Sequence, residues 1–379
     1  MMMLDIRDVA EAFPPGEFIK DELEARDWTQ DVLAEITGIP APVISNIIKG
    51  KRAVSTEIAS NLAAAFGTTA QFWMNLETSY QLWMDTRADE QITRKAKLYA
   101  LAPVNELIKR GWIEATKDLD LLEERLLGFL ERQTVDEPSK LVYATKKSTE
   151  KANPSQVAWV HRAKRLAKGI RAPKYSEKSL AEALRRLREL RKNAEDIREV
   201  PKVLAEAGIR LVLIEGLTRG KIDGATLWLD EHSPVVVLSM RYDRLDNFWF
   251  VLLHELGHAA NRDAVGGQPI LDVDLVGDHA IPFEEKSDIE QRADMFAQTF
   301  LVEQDELELF IGRTRPLYSK QKIKNFSARI GVHPAIVLGQ LHHRREVEWY
   351  HSREMLVKVR DILISGALTD GWGHTPPTM

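Results

Sequence analysis

The chain has 379 residues, 44% hydrophobic and 29% charged, which is length for two or three domains and a balance that neither a disordered nor a collagen-like chain shows. It contains no cysteine, which excludes disulfide frameworks, thiolate zinc knuckles, iron–sulfur clusters and cysteine nucleophiles, so any metal must sit on His, Asp or Glu. A net charge of −5 offers phosphate no overall attraction, and with neither a leader-like amino terminus nor a stretch of about 18 apolar residues the expected compartment is the cytoplasm, with no membrane partner.

Residues 12–90 carry short apolar-periodic segments punctuated by Gly38, Pro40, Gly50 and Gly67, a pattern that predicts four or five small helices within a first domain, 1–90. Thr29 can cap a helix running to Thr37, Gly38 makes a turn, and Pro40 and Pro42 suit the start of a second helix that ends at Gly50. This is the form of a helix-turn-helix. Ile44, Ile47 and Ile48 of the second helix face the core, leaving Ala41, Ser45, Asn46 and Lys49 outward. Asn46 can pair bidentately with adenine in a major groove, while Gln30, Lys49, Lys51 and Arg52 can hold phosphates. A helical hairpin without DNA has the same periodicity.

Residues 91–207 read as a helical connector of long amphipathic stretches such as LLEERLLGFLE and SLAEALRRLRELRK. Between Arg162 and Lys192 lie 12 Lys or Arg against 3 Glu, either a solvated helix face or a source of phosphate contacts. From 208 to 350 the period changes. IRLVLIEGL, GATLWLDE and PVVVLSMRY predict three strands, followed by a buried helix in DRLDNFWFVLLHELGHAANR and by helices over 287–302, 319–330 and 334–350. Residues 351–379 are expected to be a helix end and a mobile tail.

His254-Glu255-Leu256-Gly257-His258 carries the chemistry. Two imidazoles four residues apart on one helix face can converge on an ion, and Glu255 can reach a water in the remaining position. A hydrolytic zinc needs a third protein ligand. Asn261 and Ala264 stand where a metzincin extension needs Gly and His, so the third ligand must come from elsewhere. In SDIEQRADMFAQTFL, Glu290 can complete a His-His-Glu set, and Asp294 can accept the free N–H of a ligating imidazole; a solvated acidic face is the plainer alternative for both. His279, His333, His342, His343 and Tyr242 are weaker candidates to stabilise an oxyanion, and residues 263–286 are read as a connecting loop or a lid.

Two segments resemble known families. Residues 14–83, from PPGEFIKDELEARDWTQ onward, resemble the HigA-type antitoxin branch of Xre-family DNA-binding domains, and GATLWLDEHSPVVVLSMRYDRLDNFWFVLLHELGHAAN with IEQRADMFAQTFL resembles ImmA/IrrE-family metallopeptidases. The resemblance implies zinc on His254, His258 and Glu290 with Glu255 as general base, DNA contacts from the helix holding Ser45 and Asn46, and a homodimer on a palindromic double-stranded operator. Ala41, Pro42 and Val43 depart from the polar residues common in relatives, and Leu301-Val302-Glu303 replaces the usual Leu-x-Pro.

The expected fold is therefore α+β and mostly helical: a lambda-repressor-like helix-turn-helix, a connector, and a zincin-like domain with a small three-stranded sheet. The expected function is a DNA-binding regulator or antitoxin-like protein carrying a zinc-dependent endopeptidase, latent or active, that hydrolyses a specific protein such as a repressor. The alternative is a non-enzymatic HigA-like repressor with a cognate toxin, whose metallopeptidase-like domain is a sensor or interaction module.

Overall fold

The computed structural model describes residues 12–137, 142–143, 150–266, 268–277 and 280–374. The chain divides into two compact units, Met1–Ala96 and Lys97–Met379.

The first unit contains α1 (Pro15–Ala25), α2 (Gln30–Thr37), α3 (Ala41–Ile48), α4 (Thr56–Phe66) and most of α5 (Ala70–Leu101). Thr29 caps α2 by accepting the Val32 N–H, and Gly38 at φ 70° ends it in a left-handed turn that a side chain would strain. Pro42 lies in the first turn of α3, where its missing N–H costs nothing. Leu33, Ile44, Ile47, Leu62, Phe66 and Trp73 form a common core. Gly16 lets α1 touch the end of α3, since a Cβ there would lie 2.6 Å from the Ile47 carbonyl oxygen.

The second unit continues with α6 (Val104–Lys109), α7 (Leu119–Phe129), β1 (Val142–Tyr143), β2 (Glu150–Lys151), α8 (Pro154–Lys168), α9 (Glu177–Leu190), α10 (Val200–Glu206), β3 (Arg210–Ile214), β4 (Ile222–Trp228) and β5 (Pro234–Leu238). It then runs through α11 (Leu245–Asn261), β6 (Ile270–Val273), α12 (Asp288–Leu301), α13 (Gln304–Thr314), α14 (Lys320–Ile330), α15 (Pro334–His343), α16 (Arg360–Ile364) and β7 (Leu368–Asp370).

The three expected strands are the centre of a five-stranded mixed sheet in the order β6-β4-β5-β3-β7. β3 runs parallel to β5 and β7, and β4 is antiparallel to β5 and β6. The sheet is covered on both faces, which is why PVVVL shows no alternation. Leu211, Leu213, Val236 and Leu238 pack with Leu187, Leu204, Phe248 and Leu252 on one side. Val212, Ile214, Val235 and Val237 pack with Leu107, Leu126, Phe129 and Trp159 on the other. The stretch expected as a connector thus supplies a covering layer, with Trp159 donating its indole N–H to the Ile214 carbonyl at 3.1 Å.

Other expectations are corrected in the same unit. β7 lies in the segment read as a mobile tail, α16 is a short helix in the stretch just before it, and residues 375–379 fall outside the described residues. β6 lies inside the stretch read as a loop or lid, paired to β4. α13 was not foreseen, and α15 ends at His343 because the chain turns there through Arg345 at φ 58°. Much of the basic stretch is taken up in tertiary contacts: Lys164 and Lys168 pair with Glu131, Arg162 with buried Asp370, Arg186 with Glu206, and Arg191 donates to the carbonyls of Phe300 and Leu301.

Candidate metal centre and nucleic-acid interface

α11 is apolar around nearly its whole circumference, and it is buried from Leu245 to Ala259 apart from half-buried Phe250. It can lie close to α12 because residue 257 is glycine: a Cβ there would sit 3.1 Å from Ala293 Cα. Ser287 caps α12 by accepting the Glu290 N–H, so Glu290 enters in the first turn, facing α11.

The Nε2 atoms of His254 and His258 are 3.1 Å apart. Glu290 Oε2 is 3.1 Å from His254 Nε2, and Glu290 Oε1 is 3.6 Å from His258 Nε2. A fourth group that the sequence did not suggest, Asp272 of β6, places Oδ2 at 3.4 Å and 3.8 Å from the same two nitrogens. One ligand atom from each of these four residues lies within 4.8 Å of the others. The outer ring nitrogens are held: His254 Nδ1 is 2.9 Å from Asp294 Oδ1, whose other oxygen takes Lys286 Nζ at 2.6 Å, and His258 Nδ1 is 3.0 Å from Asp263 Oδ2. With both Nδ1 positions donating to carboxylates, both Nε2 atoms face inward, where a bound ion would displace any proton they carry.

Glu255 is fully buried on the neighbouring side of α11. Thr226 of β4 donates its hydroxyl to Glu255 Oε2 at 2.6 Å, and Oε1 has no hydrogen-bond partner. Room for the carboxyl comes from Gly224, where a Cβ would lie 2.2 Å from Oε1.

Burial works against charging the His254 ring, but Asp272, Asp294 and Glu290 outweigh it and hold its pKa well above the ordinary imidazole value. His258 is raised too, with Asp263 and Glu290 overcoming its burial. Burial, and then the nearby Asp272 carboxylate, push Glu255 well above the usual carboxylate range. For Glu290 and Asp294 burial is overcome in the other sense, by the two imidazoles and by His254 with Lys286 respectively, and both stay below that range.

The donor set fits a divalent cation. Glu290 Oε1 and Asp272 Oδ2 are buried without a hydrogen-bond partner, and two such carboxylates converging with two imidazoles in so small a space suit a positive ion. Nitrogen and oxygen donors of this kind suit zinc.

The residues that sequence reasoning missed are Asp272, Asp263, Lys286, Thr226 and Gly224. Asp263 follows the second His by five residues, a local signal. Asp272 reaches the centre only through the sheet register that sets it opposite Gly224. Among the weaker candidates, His343 packs on Phe250, whose ring also meets His254, and lines a small cleft with Asn247, Val276, Leu301 and Ile336. His333 caps α15, His342 stacks on Trp349, and the Tyr242 hydroxyl lies against Gly277; His279 is outside the described residues.

In the first unit, Gln30, Asn46, Lys49, Lys51 and Arg52 are exposed and Ser45 is half-buried. Lys51 and Arg52, just past α3, line a groove with Glu77 and Tyr80 of α5. Among the described residues no helix is long and apolar enough to cross a membrane.

Residues 206–342 match the family of IrrE N-terminal-like domains, and residues 19–73 match a helix-turn-helix family. Antitoxin HigA-1 of Vibrio cholerae is 41% identical over 73 residues, covering 19% of this chain and 68% of that protein. The uncharacterized HTH-type transcriptional regulator YbaQ of Escherichia coli is 34% identical over 84 residues, covering 21% and 74%. A solved structure, the Pseudomonas aeruginosa antitoxin HigA with the higBA promoter, is 34% identical and covers 21% of this chain and 91% of that one at a TM-score of 0.21.

Proposed function

The chain belongs, through its first unit, to the HigA-related helix-turn-helix family and carries an IrrE N-terminal-like domain, and from this we propose a DNA-binding regulator whose second unit is a zinc endopeptidase for one protein substrate. The observation that carries the enzymatic half is Glu255, buried with one free oxygen next to the His254, His258 and Glu290 donors. Zinc held by these three residues would supply Lewis acidity and a bound water that loses its proton near neutral pH.

The chain's own residues do the rest. Asp294 and Asp263 fix the imidazole tautomers, so that Nε2 of each ring is free to bind. Thr226 orients the Glu255 carboxyl, leaving Oε1 to take a proton from water and return it to the departing amine. The cleft beside Phe250, where Val276, Leu301, Ile336 and Trp349 face Asn247, Gln298, Gln340 and His343, would seat a side chain of an extended substrate.

In the first unit, Asn46 and Ser45 of α3 would approach base edges, with Gln30, Lys49, Lys51 and Arg52 on phosphates of a palindromic operator bound by a homodimer. The peptidase is tested by labelling new protein amino termini in cells that express wild type or Glu255→Gln. Termini present only when Glu255 is intact, at equal metal content, support it; identical sets, in the wild-type and the Asp272→Ala background alike, refute it. A second reading, a non-enzymatic repressor with a closed sensor site, draws on the fourth donor, Asp272, and the burial of the whole cluster.

A further inference from the structure

We propose that Asp272 is a fourth protein ligand that holds the metal centre closed, so that the peptidase is latent until β6 shifts. The inference rests on the metal-centre reading above.

Asp272 is 2% exposed, and its Oδ2 is a buried oxygen without a hydrogen-bond partner. A buried carboxylate is costly, and it is kept where positive charge compensates it, here the imidazole pair or an ion that both rings share. Its distances to the two Nε2 atoms, 3.4 and 3.8 Å, are close to those of Glu290, 3.1 and 3.6 Å. An ion that both imidazoles share therefore meets Asp272 nearly as directly as Glu290. Two His and two carboxylates fill four positions, the closed arrangement of a structural zinc, whereas hydrolysis needs one position for water. Burial agrees: His254, Glu255 and His258 are 0% exposed and Glu290 is 3% exposed, leaving no approach for a peptide carbonyl.

The position of Asp272 makes the closure reversible. β6 is an edge strand that pairs in the sheet with β4 alone and also packs beside β1, so it can shift without breaking the β3, β5 and β7 ladders. The two histidines and Glu290 are on α11 and α12, which pack directly on each other, and would keep the metal.

The test uses full-length protein loaded with cobalt(II), comparing wild type, Asp272→Ala, the near-isosteric Asp272→Asn and His254→Ala. Chelator competition should show cobalt binding weakened in Asp272→Ala by at least the roughly 10–100-fold that loss of a ligand's neighbour costs. Acetohydroxamate should leave the wild-type visible spectrum unchanged and alter that of both Asp272 variants, because only they offer it an open position. Wild type that binds acetohydroxamate as the variants do, or variants that hold cobalt as tightly as wild type, overturns the proposal while the metal centre stands. Wild type that takes up no more cobalt than His254→Ala overturns the metal centre itself and the proposal with it.

Discussion

Gly224→Ala probes the setting of Glu255 without touching a candidate ligand. The added Cβ would lie 2.2 Å from Glu255 Oε1 and 2.9 Å from both Glu255 Cδ and Val251 Cγ1. The carboxyl, fully buried, can give way only by abandoning the 2.6 Å bond from Thr226. Overpacking of this kind costs about 1–3 kcal/mol. At about 2–4 °C per kcal/mol for a unit of this size, its melting temperature should fall by roughly 2–12 °C in calorimetry. Metal content should stay at the wild-type level, since the nearest neighbours of the new methyl include none of His254, His258 and Glu290. In the Asp272→Ala background, the Glu255-dependent cleavage products should be lost. In a Glu255→Ala background the same substitution should cost less, because two of its three nearest atoms are gone. An unchanged melting temperature with undiminished cleavage would refute the placement of Glu255 against β4.

Asp294→Asn removes the carboxylate that orients His254 and pairs with Lys286, and should weaken zinc binding about 10–100-fold in chelator competition; unchanged affinity would mean that Asp294 does not orient the ligand. Burial lifts Asp223 to about 7 against the pull of Arg241 and the N–H groups of Leu275 and Val276, with Asp274 adding to the rise. Because this folded value exceeds the ordinary 3.8, wild-type stability should decline as pH climbs between the two and level off above. Asp223→Asn abolishes that decline, so its advantage over wild type in urea unfolding should be larger at about pH 8 than at about pH 5, and a constant difference would count against the shifted carboxyl. In gel shifts, Lys51→Ala should weaken operator and random DNA alike and flatten the salt slope by about 1, whereas Asn46→Ala should lose discrimination between them. The reverse pattern would reassign the two residues.

The helix-turn-helix was legible because its signals are local: Thr29, Gly38 and Pro42 each act on the backbone within a turn of themselves. The pairing of His254 with His258 was legible for the same reason, and Glu290 followed from helix periodicity. Asp272 was not, because ILDVDLVGDH offers three Asp and a His with no spacing that singles one out; its place at the centre depends on strand register with Gly224, a tertiary fact. β7 escaped notice because three residues of strand carry too little pattern to stand out from Gly-rich surroundings, and only the exposed edge of β3 gives them a place. The covering layer from Leu98 to Ala167 looked like a linker because amphipathic helices announce an apolar face without saying what it covers.

The parallel pairing of β3 with β7 has a consequence for the order in which the protein is made. Val212 is partnered by Leu368, so the sheet cannot close until nearly the whole second unit has been translated. The first unit is built from helices that contact their sequence neighbours, and it can fold while the ribosome is still working on the rest. Each new molecule therefore passes through an interval in which the helix-turn-helix unit is complete and the unit that holds the His254–His258 cluster is not.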